Sequence, residues 1–290
     1  MNRRFLLLIL LSVAGLMLSC TRVKKSELPV RVMTFNIRVN VESDAENSWP
    51  HRKDPAASMI RFHRADLIGL QEALIDQVND LADRLPDYGW IGVARDDGKQ
   101  AGEFMAIFYL RDRFAVADHG TFWLSETPDQ PSLGWDAACR RVVTWAQFKD
   151  RVTGKRFFHF NTHFDHVGKQ ARENSAVLLL QKVNDLAGNH MVVLTGDFNS
   201  APDDAPIQRL LAGLENDPQS RLLDSQNLSE QPHHGPRGTF TQWQWTHVMA
   251  YPIDYIFVKN GVRVRAHATL SDTFDGRFPS DHMPVLAEIF

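Results

Sequence analysis

The chain is 290 residues long and contains only two cysteines, Cys20 and Cys139. So sparse a set excludes a disulfide-stapled scaffold and a cysteine-paired zinc site. Basic excess is lacking as well: 32 lysines and arginines stand against 35 acids, a formal net charge of −3. Non-specific grip on long nucleic acid works by counterion release and needs a positive surplus, so the net charge does not favour that class, although charge can be local. No low-complexity run and no repeat of about 20–50 residues is visible, which sets aside repeat architectures. The long apolar run, residues 5–18 after Arg3 and Arg4, has the size of a signal-peptide core and is short for a membrane span.

What is present reads as an ordinary globular chain, 43% apolar and 23% charged, long enough to bury a sizeable core. Met17-Leu18-Ser19-Cys20 resembles a bacterial lipoprotein signal in which the cysteine is lipidated; the alternative is an ordinary signal peptide with an incidental cysteine. The expected organisation is a signal over residues 1–20, a polar tether over 21–29 and one folded domain over 30–290. That implies export to the cell envelope, with a lipid anchor on Cys20 in the periplasm or at the outer membrane. Cys139 is then unpaired and is expected to be buried as a small apolar residue.

Strand and helix signals alternate. Residues 30–36, 67–70, 88–93, 104–110, 142–148, 157–161, 191–195, 239–241, 253–258, 262–268 and 285–289 read as strands. Residues 55–63, 76–85, 170–186 and 205–211 read as helices. Helices alternate with strands in places and vanish elsewhere, which predicts an α/β (α+β) fold: two mixed sheets packed face to face with helices outside. Long loops are expected over 42–53, 96–103, 127–140 and 229–237.

Polar clusters close several apolar runs. They are Asn36 after the first strand, Gln71-Glu72, His163-Phe164-Asp165-His166, Gly196-Asp197-Phe198-Asn199, and Ser280-Asp281-His282 before the last strand. Strand ends are where open sheets usually place their chemistry. Acids, amides and imidazoles are hard ligands that suit Mg²⁺ or Mn²⁺ and a phosphate ester. Each cluster also has a plain structural reading. Asn36 suits a turn, Glu72 a helix start, Asp197 and Asn199 an Asx turn, and His163 a satisfied core histidine. If the chain runs extended there, Asp197 and Asn199 project from one face. Asp254 inside an apolar strand needs a partner, for which the imidazolium of His282 is the economical choice. Arg141 suits a phosphate clamp, since its fork binds oxyanions in two places. Trp49, Trp123, Trp135, Trp243 and Trp245 fall in or beside loops, where one or two could wall a sugar or a base.

Taken in order, Thr34-Phe35-Asn36, Gln71-Glu72, Thr162-His163, Gly196-Asp197-Phe198-Asn199, Ile253-Asp254-Tyr255 and Ser280-Asp281-His282 resemble the endonuclease/exonuclease/phosphatase family, the DNase I-like phosphoesterases. The resemblance implies a four-layered α/β sandwich and one or two divalent ions. It implies that Glu72, Asn36 and Asp281 hold the metal, that Asp197 and Asn199 position water and phosphate, that Asp254 and His282 form an acid–imidazole pair, and that His163 contacts the phosphate or leaving group. Whether Asp197 or His282 is the base stays open. Arg141, Asp165 and His166 are expected at the substrate, within a branch of exported bacterial proteins. The expected protein is a metal-dependent hydrolase of phosphate esters, a phosphodiesterase or a phosphatase, and a monomer. A nuclease and a catalytically inactive ligand-binding lipoprotein are the alternatives.

Overall fold

The computed structural model describes residues 28–290, so Cys20 and nearly all of the expected tether lie outside the described residues. Among the described residues, twelve strands form two sheets. The first sheet contains β1 (Val30–Asn36), β2 (Leu67–Gln71), β3 (Tyr88–Ile91), β4 (Ile107–Leu110), β11 (Val264–Thr269) and β12 (Val285–Ile289), in the order β11-β12-β1-β2-β4-β3. The second contains β5 (Phe114–Trp123), β6 (Val142–Asp150), β7 (Arg156–His163), β8 (Met191–Asp197), β9 (Leu223–Asp224) and β10 (Asp254–Lys259), in the order β5-β6-β7-β8-β10-β9. Both sheets are mixed: β1 runs parallel to β2, and β7 to β8, while their other pairings are antiparallel.

Three apolar clusters stack the layers. Met33, Phe35, Ile68, Leu70 and Phe108 pack sheet one against α1 (Trp49–Phe62) and α2 (Ile75–Arg84). Phe158, Phe160, Val192, Leu194 and Phe257 pack sheet two against α3 (Lys169–Ala187) and α4 (Ala205–Ala212). The alternate residues Val32, Leu67, Ile107, Phe148, Val193, Ile256 and Val285 meet between the sheets. The near-continuous apolar runs of β1, β2 and β8 follow from this, because both of their faces are covered. The four-layered sandwich is the architecture expected from the sequence.

Towards one end, the space between the sheets turns polar. Gln71 Nε2 donates to Asn161 Oδ1 (2.7 Å), and Asn161 Nδ2 to the Leu70 carbonyl (2.7 Å), which ties β2 to β7 across the interface. Thr195 Oγ1 completes the network on Asn161 Oδ1 (2.9 Å). A Cβ at Gly69 would collide with Thr195 and Asn161, so only glycine lets the sheets approach here. Gln71 thus serves to register the two sheets beneath the site. Asn161→Leu, which leaves buried partners unpaired, is expected to cost about 1–3 kcal/mol in chemical denaturation; unchanged stability would refute this account.

Some elements differ from expectation. β5 was not anticipated: its middle, Asp118 to Gly120, is polar and bulged on the sheet edge, so period-two alternation is lost. α1 begins at Trp49, well before residue 55, with a proline in its first turn and Pro55 in its interior. Pro50 suits a helix start, and the buried Trp49, Ala56, Ala57 and Ile60 outweigh the bond that Pro55 deletes. Residues 239–241 make an isolated bridge, Phe240 to His282, and no strand.

Two core histidines predict acid sensitivity. His159 is fully buried, with Nε2 on Thr195 Oγ1 (2.9 Å), and burial pushes its pKa down to about 3. His267 is lowered to about 3 by burial and by neighbouring His233. A histidine depressed in the folded state keeps its full contribution above the unfolded value near 6.5 and loses it as pH falls towards 3. Each should cost up to about 1.4 kcal/mol per pH unit within that window. Denaturation midpoints recorded from pH 7 to pH 4 should fall, and His159→Gln should flatten the slope. An equal slope in the variant would refute the assignment.

Candidate active site

The site forms where strands of both sheets end. β1 stops at Asn36, β2 at Gln71 with Glu72 next, β7 at His163 and β8 at Asp197, while β10 opens with Asp254. Strand register does much of the positioning: His163 pairs with Asp197, and Asp197 with Asp254, so three polar residues lie abreast on neighbouring strands. The Asn36 amide bridges the sheets, donating to Glu72 Oε1 (3.0 Å) and to Asp197 Oδ2 (2.9 Å). Arg38, Glu72 and Asn199 all have positive φ, at 58°, 61° and 46°. Such backbone costs about 1–3 kcal/mol for a non-glycine residue and persists where the surroundings impose it.

His282 is the best-held imidazole. Nδ1 meets Asp254 Oδ2 at 2.9 Å, and Nε2 lies 3.8 Å from Asp197 Oδ2. Burial pulls its pKa down, but Asp254 and Asp197 outweigh burial and hold the ring well above the usual histidine range. Asp197 lies amid polar partners, with Oδ2 3.4 Å from His163 Nε2 and bonded to Asn36. Burial and repulsion from Asp254 raise its pKa to about 7. His163 is pushed the other way, well below its ordinary value, by burial and by Arg141 and Arg95. It is therefore neutral, and its Nδ1 is buried with no partner.

Asn199 departs from the extended chain expected. It closes an Asx turn, with its backbone N–H on Asp197 Oδ1 (2.9 Å). The turn directs Nδ2 to His163 Nε2 (2.9 Å) and to the Phe164 carbonyl (3.0 Å). The amide thus fixes the orientation of His163, and the turn reading and the site reading hold together.

Glu72 and Asp281 face one cleft and flank one guanidinium: Arg38 Nη1 is 3.9 Å from Glu72 Oε2, and Arg38 Nε is 3.9 Å from Asp281 Oδ2. Burial raises the Asp281 pKa; at Glu72 it is outweighed by His282, the Asn36 amide, the Val39 N–H and Arg38, which together lower it. Two converging acids with oxygen donors and a demand for positive charge fit a hard divalent ion. Carboxylate oxygens of Glu72 and Asp197 also cluster with a nitrogen of His163, all within 4.8 Å of one another. Arg52, 3% exposed, braces this corner: it bonds the Ile37, Arg38 and Pro279 carbonyls and so joins the loop after β1 to the loop carrying Asp281. Nothing in the sequence marked Arg38 or Arg52, because arginines after a strand and in a helix are commonplace.

The cleft has a volume of about 480 Å³, and its far wall holds Arg95, Glu103, Cys139, Arg141 and His166. Arg141 is 4% exposed and is held by Asp165 Oδ2 (3.3 Å) and His166 Nδ1 (2.9 Å), so a surface salt bridge is excluded. Asp165 was expected at the substrate, but it lies behind this wall. It accepts backbone N–H bonds from Ala138, Cys139, Val167 and Gly168. These bonds outweigh burial and hold its pKa near about 2, so it acts as an anchor for Arg141 and the loop. Cys139 is half-buried on the cleft wall and is not the core residue expected, because the Asp165-anchored loop turns it outward. No tryptophan lines the cleft; Phe240, Met249 and Tyr251 supply its apolar side. Trp49 is buried, with Nε1 on Asp80, and Trp245 packs at a tilt against Phe278 and is not among the cleft-lining residues.

Known proteins share this fold. A structure of an endonuclease/exonuclease/phosphatase from Bacteroides vulgatus is 39% identical and covers 91% of this chain and 99% of that one, with a TM-score of 0.85. A mannosyl-6-phosphatase from Bacteroides thetaiotaomicron is 37% identical over 90% of this chain and 99% of its own, with a TM-score of 0.82. The human nocturnin catalytic domain, at 20% identity and a TM-score of 0.69, shares the fold. Among curated proteins, Drosophila melanogaster protein angel is 27% identical over 75% of this chain and 61% of its own length. The endonuclease/exonuclease/phosphatase family model matches residues 33–282, so the chain belongs to that family of divalent-metal-dependent phosphoester hydrolases.

Proposed function

We propose that the protein is a phosphomonoesterase acting on a phosphorylated sugar or a similarly small phosphate ester. The carrying observation is the bounded cleft in which Asp197 lies between two imidazoles, opposite the Glu72–Asp281 pair. Its volume suits one small ligand. The likeness to a mannosyl-6-phosphatase over nearly the whole chain supports the monoester reading, and the net charge of −3 does not favour a polymeric anion.

In this proposal Glu72, Asn36 and Asp281 hold the divalent ion, Mg²⁺ or Mn²⁺. Such an ion, when bound, neutralises charge on the phosphate and leaving oxygens. Asp197 takes the proton of the attacking water. His282 is already held in its charged form by Asp254 and so stabilises the anionic phosphate and supplies a proton. The neutral His163, oriented by Asn199, lies beside Asp197 on the wall of the phosphate-binding cleft. A binding protein without chemistry would have no need to hold Asp254, His282 and Asp197 in this alignment.

The test is a screen of the purified protein with Mg²⁺ or Mn²⁺ against sugar 6-phosphates, nucleotides, oligonucleotides and phospholipid head groups. Phosphate release from a sugar phosphate, faster than cleavage of any diester, is the expected result. A preference for oligonucleotides would replace the monoester reading with a nuclease.

We extend the proposal to location: residues 1–20 direct export, Cys20 carries a lipid, and one hydrolase domain follows the tether. Among the described residues no helix is long and apolar enough to cross a membrane. Loss of membrane association in Cys20→Ser is expected; retention would remove the anchor.

A further inference from the structure

Two arginines on the far wall of the cleft share an unusual state. Arg95 is locked to Glu103 through Nη1 (2.6 Å), and its backbone carbonyl accepts from Trp123 Nε1 (2.7 Å). Arg141 is locked to Asp165 through Nε and to His166 through Nη2. Each then keeps one buried nitrogen with no partner, Nε of Arg95 and Nη1 of Arg141. Both side chains line the same cleft as Glu72, Asp197, Asn199 and His163. A buried guanidinium N–H without a partner costs free energy, and here two such groups belong to side chains that line one cleft. Both guanidinium groups are already fixed by carboxylates, so an incoming anion would meet them with little further loss of side-chain freedom.

We infer that Arg95 and Arg141 form a paired cradle for the unsubstituted oxygens of a phosphomonoester dianion and thereby select monoesters over diesters. The inference rests on the phosphoester-hydrolase reading of the cleft and deepens it by naming the ester class and the residues that choose it. A monoester carries close to two negative charges at neutral pH and three free oxygens. A diester carries one charge and two free oxygens, and its second substituent would have to displace an oxygen from this wall. A site built to satisfy buried donors discriminates strongly against a ligand that leaves them unpaired.

The experiment uses the full chain with Mg²⁺ and compares Arg95→Gln, Arg95→Lys, Arg141→Gln and the wild type. Two readouts are taken: kcat/KM on p-nitrophenyl phosphate and on bis-(p-nitrophenyl) phosphate, and the affinity for inorganic phosphate by titration calorimetry. Loss of one charged hydrogen bond corresponds to about a 10–100-fold effect. Each glutamine variant should lower the monoester-to-diester ratio of kcat/KM by about that factor and weaken phosphate binding at least about tenfold. Arg95→Lys should recover only part of the phosphate affinity, because the fork is lost. Equal losses on both esters would overturn the cradle, as would phosphate binding that survives both glutamine substitutions. A wild type that cleaves diesters alone would refute the monoester reading and the selectivity with it, while the phosphate titration would still show whether these arginines bind the anion. If Arg141→Gln fails to fold, Arg95→Gln carries the test, since its side chain is less deeply packed.

Discussion

His282→Ala should lower kcat by about 10²–10⁴-fold, the range for removing a general acid or base. Three contacts make the effect large. Asp254 accepts the Nδ1–H hydrogen bond at 2.9 Å, Asp197 lies 3.8 Å from Nε2, and the Phe240 ring packs at 4.9 Å, so the imidazole is held in one place. Asp254→Asn should mimic part of the loss, because an amide no longer stabilises the charged ring. Asp197→Asn should be at least as damaging if Asp197 is the base. The comparison also separates the two candidate bases: with Asp197 as base, the acidic limb of the pH–rate profile disappears in Asp197→Asn and persists in His282→Ala. A His282→Ala enzyme with near-normal turnover would remove this residue from the mechanism.

Removal of divalent metal should abolish activity, with a loss of about 10³-fold or more for several kcal/mol of charge stabilisation, and Mg²⁺ or Mn²⁺ should restore it. The reason lies in the acids. Glu72, Asp197 and Asp281 open on one cleft, and the cations close to them, Arg38 and protonated His282, are already engaged with other acids. Glu72→Ala should raise the metal concentration needed for half-maximal rate by at least about 10²-fold, because in the proposed site it removes a direct ligand rather than an outer partner. Asp281→Ala should act in the same direction. Direct metal titration of the free protein gives a reading independent of turnover. Full activity after exhaustive chelation, or unchanged metal affinity in both variants, would refute the assignment.

How much of this was legible in the sequence depended on how local the signal was. The buried strands β1, β2 and β8 were readable because near-continuous apolar runs ended by polar residues survive any tertiary context. β5 was not, because an edge strand with a polar, bulged centre looks like a loop until its partner β6 is known. Asn36, Glu72, His163, Asp197, Asp254, Asp281 and His282 were readable as short motifs in a fixed order. Arg38 and Arg52 were not, since their importance comes from burial and from partners far away in the chain.

The sequence by itself determined the layer architecture, the set of acids and imidazoles, and the hard character of their ligand. Those properties follow from residue type and from periodicity along the chain. Tertiary structure alone decided which of those side chains share a cleft, how their pKa values separate, and that Asp165 stands behind Arg141 instead of beside the substrate. Distance and burial set electrostatic strength, and both depend on strand register between residues far apart in sequence, such as His163, Asp197 and Asp254.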